Sequence, residues 1–144
     1  MNIASILATK GAEVVSIRPD RSVREAVALL AQHNIGALVV VDEAKKPVGI
    51  VSERDIVRHA ASDEQVLSRA VNEIMTKDVV TGMPSDDLAS VAATMTERRI
   101  RHLPVVDKGT LVGIVSVGDV LKAQRDKYRG EIDTLETQIL ADKG

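Results

Sequence analysis

Val48-Gly49-Ile50-Val51-Ser52-Glu53-Arg54-Asp55 returns as Val112-Gly113-Ile114-Val115-Ser116-Val117-Gly118-Asp119, and this doubled octet decides how the chain is read. Each copy is a β-branched apolar run followed by Ser and, three residues on, Asp. That is the signature of a strand passing into a capped helix. The match extends upstream. Val14-Val15-Ser16-Ile17-Arg18-Pro19 answers to Val79-Val80-Thr81-Gly82-Met83-Pro84, and Ala37-Leu38-Val39-Val40-Val41-Asp42 to His102-Leu103-Pro104-Val105-Val106-Asp107. The offset is 65 from Val14/Val79 through Asp42/Asp107 and 64 from Val48/Val112 onward, so the second hairpin is one residue shorter. Repeats that cannot bury their apolar faces alone stack to share a core. Two like halves also leave two like clefts.

Composition sets the limits. The 144 residues suit one domain of two small lobes. The chain is 44% hydrophobic with no Phe, Trp or Cys and one Tyr, Tyr128, so its core is aliphatic and it has neither disulfides nor a Cys-based zinc site. No apolar run approaches the ~18 residues of a membrane helix, and the N-terminal Met1-Asn2-Ile3-Ala4-Ser5 lacks the pattern of a secretion signal. The expectation is a cytoplasmic protein with no membrane partner. A net charge of −2 gives no general support for nucleic-acid binding.

Local signals order the elements. Residues 2–9 read as a short helix with Ile3, Ile6 and Leu7 inward, stopped by Gly11. Val14–Ile17 reads as a strand. Ser22-Val23-Arg24-Glu25 reads as a capping box opening a helix with Val23, Ala26, Val27, Leu30 and Ala31 on one face. Ala37–Val41 and Val48–Val51 form a hairpin, and Ser52 starts the next helix. In the second copy, Val66, Ala70, Val71, Ile74 and Met75 line a first helix, and Val79–Thr81 repeats the first strand. Asp86 or Asp87 caps a helix carrying Leu88, Val91, Ala92 and Met95. Leu103–Val106 and Leu111–Val115 close the second hairpin, and Gly118-Asp119 opens the last helix. That helix places Leu121, Tyr128 and Leu135 at heptad spacing, with Ile132 and Ile139 beside them. Two arrangements are open: docking on another helix, which the heptad favours, or folding back on the domain with Gly130 as a bend.

The doubled β-α-β-β-α order, the doubled Gly-Ile-Val-Ser-x-x-Asp, the Ile100-Arg101-His102-Leu103-Pro104-Val105-Val106-Asp107 run and Pro19/Pro84 resemble the cystathionine-β-synthase (CBS) domain family over roughly residues 2–125. The fold class implied is α/β (α+β): tandem βαββα repeats about a pseudo-twofold axis, packed through small sheets. Repeat one would cover 1–62, repeat two 63–125 and a C-terminal helical extension 126–144. Such tandem pairs, called Bateman modules, typically sense adenosine-containing ligands. The expected ligand is AMP first, with ADP, ATP, NAD and S-adenosylmethionine in the same class. Family members also usually form homodimers that act on a regulated protein.

The resemblance implies that Asp55 and Asp119 accept bonds from ribose hydroxyls, with Ser52 and Ser116 near ribose or phosphate. A carboxylate has acceptor capacity for a vicinal diol, although Ser-x-x-Asp also serves simply to cap a helix. Val117 and Gly118 adjoin the second Asp. Arg99, Arg101 and His102 are phosphate candidates, since Arg suits bidentate phosphate contact; Arg98 and Arg99 also suit a helix C-terminus. Arg54 joins them beside Asp55. Ser16, Ile17, Ala37, Leu38, Thr81, Gly82, Leu103 and Pro104 stand at the adenine-wall positions, and core packing is the plain alternative for most of them. Repeat one has Ala37-Leu38-Val39 where repeat two has His102-Leu103-Pro104. The cleft of Thr81, His102, Pro104 and Asp119 is therefore expected to be the more typical one.

Catalysis is not expected. The chain has no phosphate-binding glycine loop, no nucleophile with a persuasive His partner and no metal cluster among the scattered His33, His59 and His102. Two rival readings remain. One is a dimeric interaction module with vestigial clefts; the other is a nucleic-acid binder using Arg98–His102, which the acidic balance and lack of stacking aromatics disfavour.

Overall fold

The computed structural model describes residues 1–11 and 13–143. In chain order the elements are α1 (Ile3–Lys10), β1 (Ser16–Ile17), α2 (Val23–His33), β2 (Ala37–Val41), β3 (Pro47–Ser52), α3 (Glu53–Ala60), α4 (Val71–Ile74), α5 (Leu88–Arg98), β4 (His102–Asp107), β5 (Thr110–Ser116) and α6 (Val117–Lys143), with one 3₁₀ turn at Val66–Ser68. The expected mix of helices and small sheets is present. One sheet has the order β1-β2-β3, parallel then antiparallel, and the other is the β4-β5 hairpin.

The caps follow local chemistry. Ser22 Oγ accepts from Glu25 N, Asp87 from Ala89 N and Ser90 N, and Asn34 ends α2 in the left-handed region. Two expectations need correcting here. Glu25 does not complete the box; its carboxylate lies 3.8 Å from Arg21 instead. On α2 the buried face is Val23, Ala26 and Leu30, while Val27 and Ala31 face out.

The second repeat departs from the first in two places. Val66 to Met75 is not one helix: Arg69 adopts an extended conformation and breaks it into a 3₁₀ turn and α4. Nor is there a strand at Val79–Thr81. The counterpart of β1 shrinks to one bridge, Gly82 to Val105, held by Gly82 N to Pro104 O at 2.9 Å and Val106 N to Gly82 O at 2.8 Å. Gly82 stands where repeat one has Ile17. A methyl group there would lie 2.7 Å from Leu103 Cδ2 and 3.1 Å from Ile3 Cδ1. Ile3 of α1 thus fills part of the space an Ile side chain would need.

That contact reflects how the two cores are built. Ile3, Ile6 and Leu7 of α1 pack with Leu88, Val91, Met95, Leu103, Val105, Val115 and Val120. Val66, Val71 and Ile74 pack with Ile17, Val23, Ala26, Leu30, Leu38, Val40 and Val51. The helical segment preceding each repeat therefore completes the other repeat's core. Backbone pairing shows the same exchange: Asn2 bridges Asp87, and Ala70 bridges Ser22. The doubled glycine makes room for it. A Cβ on Gly49 would collide with Met75, and one on Gly113 with Leu7.

α6 runs unbroken through Gly130 and does not fold back, so Leu121, Tyr128, Leu135 and Ile139 are exposed. Gly144, the last residue of the expected extension, lies outside the described residues.

Candidate functional site

Ser52 is the last residue of β3 and the N-cap of α3, so backbone geometry alone fixes where Asp55 points. Ser52 Oγ accepts from Asp55 N at 3.2 Å, and Asp55 Oδ2 accepts from Ser52 N and Ser52 Oγ, each at 3.0 Å. The box uses only Oδ2. Asp55 Oδ1 has no hydrogen-bond partner among the described residues, leaving charged acceptor capacity at the end of a rigid mount.

A cavity of about 630 Å³ opens beside it, within the range of small-molecule sites. Repeat one contributes Gly36, Ile50, Ser52, Glu53, Arg54, Asp55 and Arg58. The connection contributes Thr76, Asp78, Val79 and Val80, and repeat two contributes Arg98 through His102. The cavity therefore lies between the repeats, with Glu53 and Asp55 beside Arg54 and Arg58 on the α3 side and a purely cationic cluster at the α5-β4 junction.

That junction carries a backbone cost. Arg99 ends α5 at φ 54°, the position Asn34 holds in repeat one. Asn tolerates this left-handed conformation, whereas a residue like Arg is disfavoured there by roughly 1–2 kcal/mol. The turn brings Arg98, Arg99 and Arg101 to one wall, and all three are exposed. His102, half-buried beside them, has its pKa lowered from 6.5, first by burial, then by the Lys10 cation, against a raising effect from Asp119.

Six of the residues expected from sequence meet in this cavity: Ser52, Arg54, Asp55, Arg99, Arg101 and His102. The others do not line it. Ile17, Ala37, Leu38, Leu103 and Pro104 are buried, Leu38 and Leu103 within the two cores, where strand alternation turns them inward. Ser16 and Thr81 are exposed away from it. Ser116, Val117, Gly118 and Asp119 sit at the start of α6, outside the cavity.

The structure sets the two carboxylates in different surroundings. Lys10, at the end of α1, places Nζ 2.5 Å from Asp119 Oδ2 and 2.9 Å from the Ile114 carbonyl oxygen. Ser116 N donates to the same Asp119 oxygen at 2.8 Å. The second carboxylate is thus engaged by the chain's own ammonium. Burial would raise the Asp119 pKa, but the bonds from Lys10 and Ser116 more than offset it, so the net shift is downward from 3.8. In repeat one the equivalent Ile50 carbonyl is satisfied by backbone, Thr76 N at 2.8 Å, which leaves Asp55 unencumbered.

Arg58, Arg98, Thr76 and Val80 belong to the lining without having been singled out as site residues. Arg58 was within reach of helical spacing, four residues after Arg54 on α3. Thr76 and Val80 carried no local signal. Among the described residues no group of His, Cys, Asp and Glu is placed to hold a metal ion, and no helix is long and apolar enough to cross a membrane.

The duplicated architecture has a counterpart among known families. The CBS domain model matches twice, at residues 4–62 and 71–126. The chain is a CBS-domain pair. The pair is 33% identical over 118 residues to the CBS domain-containing protein YhcV of Bacillus subtilis, covering 82% of this chain and 84% of that one. Its structure is similar to that of the CBS-domain containing protein ATU1752 from Agrobacterium tumefaciens, with a TM-score of 0.81, 39% identity, and coverage of 86% and 99% of the two chains. It is also similar to the CBS domain pair of protein MJ0100 in complex with 5'-methylthioadenosine and S-adenosyl-L-methionine, with a TM-score of 0.79, 31% identity, and coverage of 88% and 98%.

Proposed function

We propose that this CBS pair is a regulatory module that binds an adenosine phosphate, AMP foremost, in the cavity between Asp55 and the Arg98–His102 wall. The observation that carries the reading is the polarity of that cavity. A fixed carboxylate with a free oxygen stands at one end, where a ribose diol would donate to it. Three arginines and a histidine line the same cavity from the α5-β4 junction, where a phosphate would accept from them. ADP, ATP and NAD present the same two groups. S-adenosylmethionine has the ribose but no phosphate, so it would leave the arginines with only its carboxylate. The related pair solved with adenosine-bearing ligands supports the general ligand class.

The site offers binding groups, and no catalytic step is assigned to it. A ligand held by α3 of one repeat and the α5-β4 junction of the other ties the two repeats together. Its differential affinity for one inter-repeat arrangement shifts the population toward that arrangement, altering the surface a regulated protein meets. The working unit is a homodimer.

Thermal unfolding with AMP, ADP, ATP, NAD, S-adenosylmethionine and adenosine tests the reading. A ligand at 100 times its Kd adds about 2.7 kcal/mol of stability. AMP is expected to raise the Tm at concentrations where adenosine does not. Equal shifts from both would remove the arginine wall from the reading, and no shift from any adenosine compound at millimolar concentration would reject it.

A further inference from the structure

Beyond Ala123 the last helix leaves the domain. Val120 and Ala123 still pack on the repeat-two core, but residues 124–140 are exposed except for half-buried Ile132. The helix continues to Lys143, about 30 Å further at 1.5 Å per residue. Along it Tyr128, Leu135 and Ile139 are more than half exposed. An apolar stripe of this length facing water on a lone helix is a surface awaiting a partner.

We infer that the partner is a second copy of this chain, paired along α6 in antiparallel orientation. The inference rests on the homodimer part of the proposed function and is independent of the ligand. The heptad places Leu121, Tyr128 and Leu135 at d and Ile132 and Ile139 at a, with Arg125 at the a position nearest the domain, Lys122, Arg129 and Glu136 at e and Glu131 at g. Charge then selects the orientation. A parallel pair sets g against the following e of its neighbour, so Glu131 would face the partner's Glu136, and it would do so twice. An antiparallel pair stacks a on d: Ile132 on the partner's Leu135 and Tyr128 on the partner's Ile139, each repeated by symmetry. It also sets e against e, so Arg129 meets the partner's Glu136 twice. The contact is self-complementary and closes on a twofold axis, as a dimer interface must.

The test is sedimentation equilibrium on the full chain and its variants. The wild type is expected to dimerise at micromolar concentrations. Ile132→Glu, which puts a charge in the central layer, is expected to make it monomeric with its thermal unfolding of the domain unchanged, because this part of α6 adds nothing to either core. Glu136→Arg sets Arg129 against arginine and is expected to weaken the dimer about 10-fold, with Arg129→Glu/Glu136→Arg restoring it. In a parallel pair Glu136→Arg would relieve the Glu131 repulsion, so a stronger dimer overturns the antiparallel orientation. A dimer indifferent to Ile132→Glu would keep the homodimer and remove this surface. A monomeric wild type up to 100 times the micromolar range would overturn both. The chain has no native Cys, so crosslinking reads the orientation directly. Ile132→Cys mixed with Leu135→Cys should crosslink, and Leu135→Cys alone should not.

Discussion

Asp55→Asn separates binding from capping more sharply than Asp55→Ala does. Asp55 has two jobs, and the structure divides them between its two oxygens. Oδ2 accepts from Ser52 N and Ser52 Oγ at 3.0 Å, while Oδ1 has no hydrogen-bond partner among the described residues and Asp55 lines the cavity. An Asn at this position can put its carbonyl oxygen where Oδ2 was and keep the cap. Its NH₂ then replaces Oδ1 and has no lone pair to offer a ribose hydroxyl. Alanine would lose the cap as well, costing about 1 kcal/mol of stability that would blur the result. A hydrogen bond to a charged group contributes about 1.5–3 kcal/mol, so Asp55→Asn should weaken AMP about 10- to 150-fold. Isothermal titration calorimetry reads the change, and thermal unfolding of the free protein, expected to be near wild type, certifies the fold. Asp119→Asn is the matched control. Its carboxylate is held by Lys10 outside the cavity, so it should affect stability and leave AMP affinity within about twofold, inside the scatter of a distant surface change. Undiminished affinity in Asp55→Asn, or loss in Asp119→Asn alone, would refute the assignment.

His102 titrates below its ordinary 6.5 in the free protein because burial and the Lys10 cation oppose its charge. A phosphate bound beside it should raise that value, so AMP binding near pH 6 should take up more protons in the wild type than in His102→Gln, as read from calorimetry in buffers of different ionisation enthalpy; identical uptake would remove His102 from the phosphate wall. Asp119 has a folded pKa depressed below 3.8, so its stabilising contribution is present above that value and lost as the pH falls through the folded value. Lys10→Ala should therefore reduce stability at pH 7 and flatten the acid side of the pH–stability curve, measured by urea unfolding. Gly49→Ala would push into Met75 and stand 3.1 Å from the Thr76 carbonyl oxygen, whereas Gly113→Ala meets only the side chain of Leu7. Overpacking costs about 1–3 kcal/mol, so Gly49→Ala should lower the Tm by about 3–10 °C and Gly113→Ala by less; the reverse order would contradict the packing described.

Local signals were legible. Ser52-x-x-Asp55, Asp87 and the Asn34 stop fold as their neighbours in sequence dictate, because a cap is settled within four residues. Three of the four cationic residues at the α5-β4 junction were legible for the same reason: Arg99, Arg101 and His102 are neighbours in sequence and stay together in space. What the sequence concealed was tertiary. The Lys10–Asp119 pair spans 109 positions, and nothing at Lys10 distinguishes it from a lysine ending any helix. The missing strand at Val79–Thr81 has the same origin. Its residues have strand propensity, but Val79 and Val80 line the cavity and pair with no neighbouring strand among the described residues, and only Gly82 bridges Val105. Propensity yields to packing wherever the two compete.

The exchange of α1 and α4 between repeats connects these points and bears on how binding would be transmitted. α4 ends at Ile74 and the chain continues through Thr76, Asp78, Val79 and Val80 along the cavity before reaching repeat two. Thr76 is anchored to Ile50 of β3 by bonds of 2.8 and 3.0 Å, two residues before Ser52. The segment that completes the first core is therefore the same segment that floors the site and leads to the second core. On the other side α1 completes the second core and ends in Lys10, which neighbours both Asp119 and, electrostatically, His102. A phosphate bound at His102 and Arg101 would add negative charge beside an imidazole whose titration already responds to both Lys10 and Asp119. Lys10 and Asp119 themselves stay outside the cavity, so this route is expected to pass only a weak effect, which the Asp119→Asn control measures directly. The firmer link between the repeats is the connection itself, since Thr76 is bonded to β3 of repeat one and leads through Val79 and Val80 to the Gly82 bridge in repeat two.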